Sequence, residues 1–209
     1  VNDELNAWPD LDPTQLARTP TRRGGDEYGA LMAAQRIVQA RLAGLVAPTD
    51  VLSEVTARLD ELARLLADYQ GSEADRFDGR RPDLPGRGSP LLPPYVIERV
   101  NPRRIEGRVT FSRFHLGGRA ALHGGVHPLL FDDALGSLVN IDRSHRCRTA
   151  SLKVNYRRIA PIGVELTFDA TVDEISGRKR FTSARLYDES GAVCADAEGL
   201  FLELLPGQQ

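Results

Sequence analysis

Lysine is nearly missing from this 209-residue chain, with Lys153 and Lys179 the only two among 27 basic residues. Arginine abundance therefore reflects a general replacement and by itself argues for no guanidinium chemistry. Cysteine is scarce too. Cys147 and Cys194 stand far apart with no CxxC pair, which excludes a disulfide framework and a thiolate metal site, and a reduced cytoplasm is the compartment expected. Apolar runs extend only a few residues, far short of the roughly 20 needed to cross a bilayer. Net charge is almost absent, at -2, so nothing in the electrostatics calls for nucleic acid or an anionic membrane surface as the main partner. Histidine occurs at positions 115, 123, 127 and 145. His115, His127 and His145 lack ligand spacing and acidic companions, and no metal is expected.

What remains is ordinary globular composition, 41% hydrophobic and 27% charged. Residues 1–27 show no periodicity and are expected to form an irregular arm. From Tyr28, apolar residues at 31, 34, 38, 42 and 45 recur at helical spacing, and Gly44 and Pro48 close the run. A second helix follows Thr49-Asp50, with a seam at Leu52, Val55, Leu59, Leu62, Leu66 and Tyr69. Residues 28–70 thus predict a helical hairpin, its apolar faces packed on each other or on a neighbouring subunit; a coiled-coil dimer is the alternative. Gly and Pro crowd residues 71–94, the mark of a linker or extended crossing segment.

Residues 95–209 carry the period of strands. One strand is expected between Ile105 and Phe114, then a helix from Gly125 to about Ile141, then four strands beginning near Ala150, Val164, Arg178 and Ala192. Turn-rich segments at 160–163, 176–177 and 189–191 separate the last four. One helix followed by consecutive antiparallel strands gives an α+β domain, in which a sheet can curl around the helix. Periodicity alone does not single that arrangement out.

The segment Ala121-Leu-His-Gly-Gly-Val-His-Pro-Leu-Leu-Phe-Asp132-Asp-Ala-Leu-Gly136 narrows the choice. Together with Thr149 to Gly163, and with Asp188 to Phe201, it resembles the PaaI-type hotdog-fold acyl-CoA thioesterase superfamily over about residues 95–204. The resemblance implies an antiparallel sheet wrapped around a central helix, preceded here by the N-terminal helical extension. It implies hydrolysis of an acyl-CoA thioester to free acid and CoA, with CoA part of the substrate and no separate cofactor. It also implies a homodimer or dimer of dimers, with Asp132 of one subunit facing the His123-Gly124-Gly125 turn of another.

Chemistry supports that division of labour. Glycines ahead of a helix let a carbonyl approach the first free amides, where the helix dipole favours developing negative charge. Gly124 and Gly125 are therefore candidates for an oxyanion hole. Asp132 is the candidate base or nucleophile, with Asp133 the substitute should the helix register differ. From Gly125 to Asp132 the helix rises roughly 10 Å, too far for one chain to place both on one carbonyl. His123 is expected to orient the turn rather than to transfer a proton.

Ser151, with Thr149 beside it, matches the hydroxyl with which some relatives position a water. An Asn or Gln helper found six residues before the His in some relatives is replaced here by Gly117. Arg157, Arg158 and Arg178 are candidates to meet the CoA phosphates, as equally for exposed strand-end charge. A hotdog module that binds acyl-CoA without turnover is the second reading of the whole. A dehydratase or hydratase is a weaker third, since no paired His and acid stands on the helix.

Overall fold

The computed structural model describes Leu11, residues 23–141 and residues 146–208. Most of the expected N-terminal arm, and His145, fall outside those bounds.

Two helices come first, α1 (Gly25–Leu42) and α2 (Thr49–Ala67), followed by a 3-10 turn at Pro85–Gly88. Strands β1 (Val96–Asn101) and β2 (Arg104–Thr110) lead through a short 3-10 turn to the central helix α3 (Val126–Val139). Four strands complete the chain: β3 (Cys147–Tyr156), β4 (Glu165–Ser176), β5 (Lys179–Tyr187) and β6 (Val193–Glu203). All pairings are antiparallel, in the order β1-β2-β4-β5-β6-β3.

The sheet's concave face holds α3. Leu130, Phe131, Ala134, Leu135 and Leu138 of the helix are buried. Alternate residues of the strands meet them: Leu166, Phe168, Ala170 and Val172 from β4, Ala184 and Leu186 from β5, Ala195, Ala197 and Phe201 from β6. This period-two alternation puts one face of each strand against the helix. Gly199 makes the close approach possible, because a Cβ there would lie 2.5 Å from Thr182 Oγ1 and 3.3 Å from Leu135 Cδ1. The arrangement is a hotdog, as the sequence resemblance implied.

One strand escaped the sequence reading. β1 pairs with β2 through a two-residue turn at Pro102-Arg103, yet only two of its residues, Val100 and Asn101, are buried. An edge strand with such a burial pattern carries little alternation to detect. The expected order of one strand before the helix is therefore corrected to two.

The N-terminal helices form where their periodicity placed them, but neither has a buried residue. Leu52, Leu59, Leu62 and Leu66, the seam expected to pack in a hairpin, remain exposed in the protomer. α1 instead grips the Gly/Pro-rich segment. Arg36 donates to the carbonyls of Leu92 (3.0 Å), Ser89 (2.9 Å) and Pro85 (3.2 Å), and the Tyr28 hydroxyl donates to Gly88 O at 2.7 Å. Arg81, 1% exposed, donates to Asp83 and to the carbonyls of Arg23 and Gly25. The segment read as a linker or an extended crossing segment is thus tied to α1 and its N-terminal flank by hydrogen bonds, most of them partly buried. Among the described residues, no helix is long and apolar enough to cross a membrane.

Candidate active site

Helix α3 begins directly after the His123-Gly124-Gly125 turn. The Gly125 amide donates to His123 Nδ1 at 3.1 Å, and the Val126 amide donates to His123 O at 2.9 Å. Nδ1 of His123 thus serves as the acceptor for the Gly125 amide. The histidine orients the turn, and in doing so it takes the Gly125 amide. Gly124 keeps its amide without a partner among the described residues, and the turn is held from its other side by the Tyr156 hydroxyl, which donates to Gly124 O at 3.0 Å. Tyr156 in turn meets the ring of His127 edge-on, with centroids 5.2 Å apart. His127 is 3% exposed, and burial pushes its pKa below the ordinary imidazole value.

Two turns further along α3, Asp132 is exposed and accepts a hydrogen bond from Thr149 Oγ1 at 2.8 Å. The hydroxyl that reaches it is Thr149, whereas Ser151 lies beyond a bulge in the β3–β6 pairing and is exposed on β3. An irregularity in register redirects side chains relative to strict alternation, which spacing along the sequence does not reveal. Asp133, one residue on, has a different environment. It accepts from Arg87 Nη2 at 2.7 Å and from the Tyr95 hydroxyl. Burial raises its carboxyl pKa, opposed by the Arg87 charge. Tyr95 is 1% exposed and packs edge-on against Phe168, and burial pushes its own pKa well up.

Arg87 is delivered by a strained turn. Gly86, Arg87 and Gly88 all have positive φ, at 59°, 54° and 69°. For the arginine this left-handed conformation costs free energy that its flanking glycines do not incur. Nothing in the composition of residues 71–94 marked Arg87 as a site residue; the pair of glycines around it was the available signal.

A cavity of about 470 Å³ opens beside Asp132. α3 contributes Asp132, Asp133, Gly136 and Asn140, β3 contributes Cys147 to Thr149, and the segment between Arg76 and Leu92 forms the opposite wall. The loss of the helper at Gly117 also has a geometric basis. Its amide donates to Ala121 O at 2.8 Å, and a Cβ there would lie 3.0 Å from His123 Cα. A side chain at 117 would press on the turn that carries the site.

The arginines assigned to CoA phosphates are scattered. Arg157 is paired with Asp196, and Arg158 follows it in an exposed turn. Arg178 donates to Glu203 O at 2.9 Å. The Arg157 and Arg158 amides bind Cys194 O at one end of β6, while Arg178 sits at Glu203 at the other. Nine residue steps along a strand are roughly 30 Å. Within one protomer these arginines do not form a group. Among the described residues, no cluster of three His, Cys, Asp or Glu could hold a metal ion.

Comparison with known proteins agrees with this fold. Residues 120–195 match the family description "Thioesterase superfamily". The chain is similar to acyl-coenzyme A thioesterase THEM4 of Bos taurus, 34% identical over 87 residues, covering 41% of this chain and 35% of the relative. The chain thus spans about a third of that curated relative's length. The crystal structure of protein RHA08564, a thioesterase superfamily protein, superposes with a TM-score of 0.71 at 29% identity, covering 85% of this chain and 91% of the other. The E. coli PaaI protein of the phenylacetic acid degradation operon shares the fold, with a TM-score of 0.50 at 17% identity over 53% of this chain and 80% of its own. By sequence over residues 120–195 this chain matches the thioesterase superfamily description, and by fold over most of its length it is similar to a thioesterase superfamily protein and is built on the hotdog fold.

Proposed function

We propose that this protein is an acyl-CoA thioesterase that hydrolyses a thioester to the free acid and CoA, with Asp132 as its general base. The observation that carries this reading is the contrast between two adjacent carboxylates. Asp133 is occupied by Arg87 and Tyr95, whereas Asp132 faces the cavity and has a single hydroxyl donor, Thr149. The activity printed for the bovine relative supports the substrate class.

In this mechanism Asp132, held by the Thr149 hydroxyl, takes a proton from a water on its cavity side. The resulting hydroxide attacks the thioester carbonyl carbon, and the carbonyl π electrons move to oxygen. The amide of Gly124 stabilises that oxyanion from the N-terminus of α3. Collapse of the tetrahedral intermediate breaks the C–S bond, and the departing CoA thiolate recovers the proton from Asp132. Water is the only co-reactant, and no redox cofactor takes part.

Asp132 lies eight residue steps beyond Gly124, about 12 Å at helical rise. The two groups therefore act on one carbonyl only if a second copy of the chain supplies one of them, and the proposed unit is a homodimer or a dimer of dimers. The exposed apolar seam of α2 supports association, since a monomer gains nothing from leaving such a stripe in water.

Thiol release from a panel of acyl-CoAs, measured for the wild type and Asp132→Asn at matched oligomeric state, tests the proposal. Turnover lost in the variant supports it. Tight binding without turnover in the wild type moves the protein to a non-catalytic acyl-CoA-binding module, and unchanged turnover in the variant removes Asp132 from the mechanism.

A further inference from the structure

The wall of the cavity beside Asp132 is strongly cationic. Six arginines line it, at 23, 76, 80, 87, 146 and 148, against three aspartates, Asp78, Asp132 and Asp133. Arg87 is committed to Asp133 at 2.7 Å. Arg76 lies 3.9 Å from Asp78 with both side chains well exposed, and Arg23 and Arg80 each lend one nitrogen to a backbone carbonyl, Ala74 O and Glu73 O. The guanidinium groups of Arg146 and Arg148 have no hydrogen-bond or ion-pair partner among the described residues. Arg148 immediately precedes Thr149, the residue that holds Asp132.

We propose that this cavity receives an acyl group bearing its own carboxylate, so that the preferred substrate is the mono-CoA thioester of a short dicarboxylic acid. The proposal rests on the thioesterase reading above. An alkyl chain entering such a cavity would strip water from guanidinium groups and return nothing to them, whereas a carboxylate replaces that water with charge-assisted, bidentate hydrogen bonds. The same arginines offset repulsion between the second carboxylate and Asp132.

Distance separates this anion from the phosphates of CoA. The pantetheine arm, with about a dozen bonds between sulfur and phosphorus, extends roughly 15 Å at ordinary bond lengths. The cavity reaches from Asp132 to Asn140, about 12 Å along α3. Arg87, which holds the neighbouring Asp133, and Arg148, one residue before Thr149, are among the residues that line it. A carboxylate four or five carbons from the thioester extends about 6 Å and falls inside. A diphosphate on a thioester placed at Asp132 falls outside.

The test compares kcat/KM for glutaryl-CoA, its methyl ester and valeryl-CoA, in the wild type, in an Arg146→Ala, Arg148→Ala double variant, and in Arg148→Lys. The expected result is a preference of about tenfold or more for glutaryl-CoA, the range of one charge-assisted hydrogen bond. That ratio should collapse toward one in the double variant and persist in part in Arg148→Lys. Equal or better hydrolysis of the uncharged substrates by the wild type overturns the proposal while leaving the thioesterase reading intact. Calorimetric affinities of the same ligands for Asp132→Asn read the preference without turnover, so failure of the hydrolase reading remains distinguishable. A further arm uses S-glutaryl-pantetheine in place of the CoA thioester. If the arginine variants erase discrimination between these two, the cluster reads nucleotide phosphate and the proposal fails.

Discussion

The guanidinium of Arg87 donates to the Asp133 carboxylate at 2.7 Å, joining positions 46 residues apart. It links the segment gripped by α1 to the helix carrying the candidate base. Removing one partner of a partly buried pair leaves an uncompensated charge, and Arg87→Ala should lower unfolding stability by about 2–3 kcal/mol. Urea unfolding of Arg87→Ala, Asp133→Asn and the double variant checks this. Additive losses would show that the two side chains are not energetically coupled.

Thr149 holds Asp132 through one hydroxyl. Asp132→Asn should reduce kcat by about 10²–10⁴, the usual contribution of a positioned general base. Thr149→Val should cost roughly tenfold in kcat, while Thr149→Ser, which keeps the donor, retains most of the rate. Steady-state kinetics on any turned-over acyl-CoA reads both. Equal loss in the Val and Ser variants would assign Thr149 to packing.

Tyr156 reaches back to Gly124 O, fixing the peptide ahead of the helix. Tyr156→Phe preserves the ring against His127 and deletes only the hydroxyl. The expected loss is about 1 kcal/mol of stability, together with a several-fold fall in kcat. An unchanged kcat would show that the turn holds its geometry without this bond.

Burial lowers the pKa of both His115 and His127. The unfolded chain takes up protons on these rings from about pH 6.5 downward, before the folded chain does. Their contribution to stability is therefore complete above that pH and is lost as pH falls toward the folded-state values. Asp133, whose pKa burial raises, contributes with the opposite sign at acid pH, so a variant is needed to isolate the imidazole. His127→Phe should flatten the dependence between pH 8 and 5, as measured by thermal unfolding. A slope identical to the wild type would remove His127 as a source.

At Gly199 a methyl group would meet Thr182 Oγ1 at 2.5 Å beneath α3. Gly199→Ala should destabilise the fold by about 1–3 kcal/mol, read by chemical denaturation. A neutral effect would mean that Thr182 can rotate away at no cost.

The sequence alone determined most of the C-terminal elements, while their wrapping into a hotdog came from the resemblance of its motifs. Strand alternation at Leu166, Phe168 and Ala170, the helical run from Leu130 to Leu138, and the His123-Gly124-Gly125 turn with Asp132 behind it are local patterns, and local patterns are what periodicity reports. Edge strand β1 was hidden because most of its residues are not buried and so need not alternate. Only the tertiary structure decided which groups meet. Arg87 finds Asp133, Thr149 rather than Ser151 finds Asp132, and Arg157 and Arg178 end at opposite ends of β6. Those outcomes depend on a register irregularity and on a left-handed turn that reaches α3. Each is set by packing between residues distant in sequence, on which spacing along the chain carries no information.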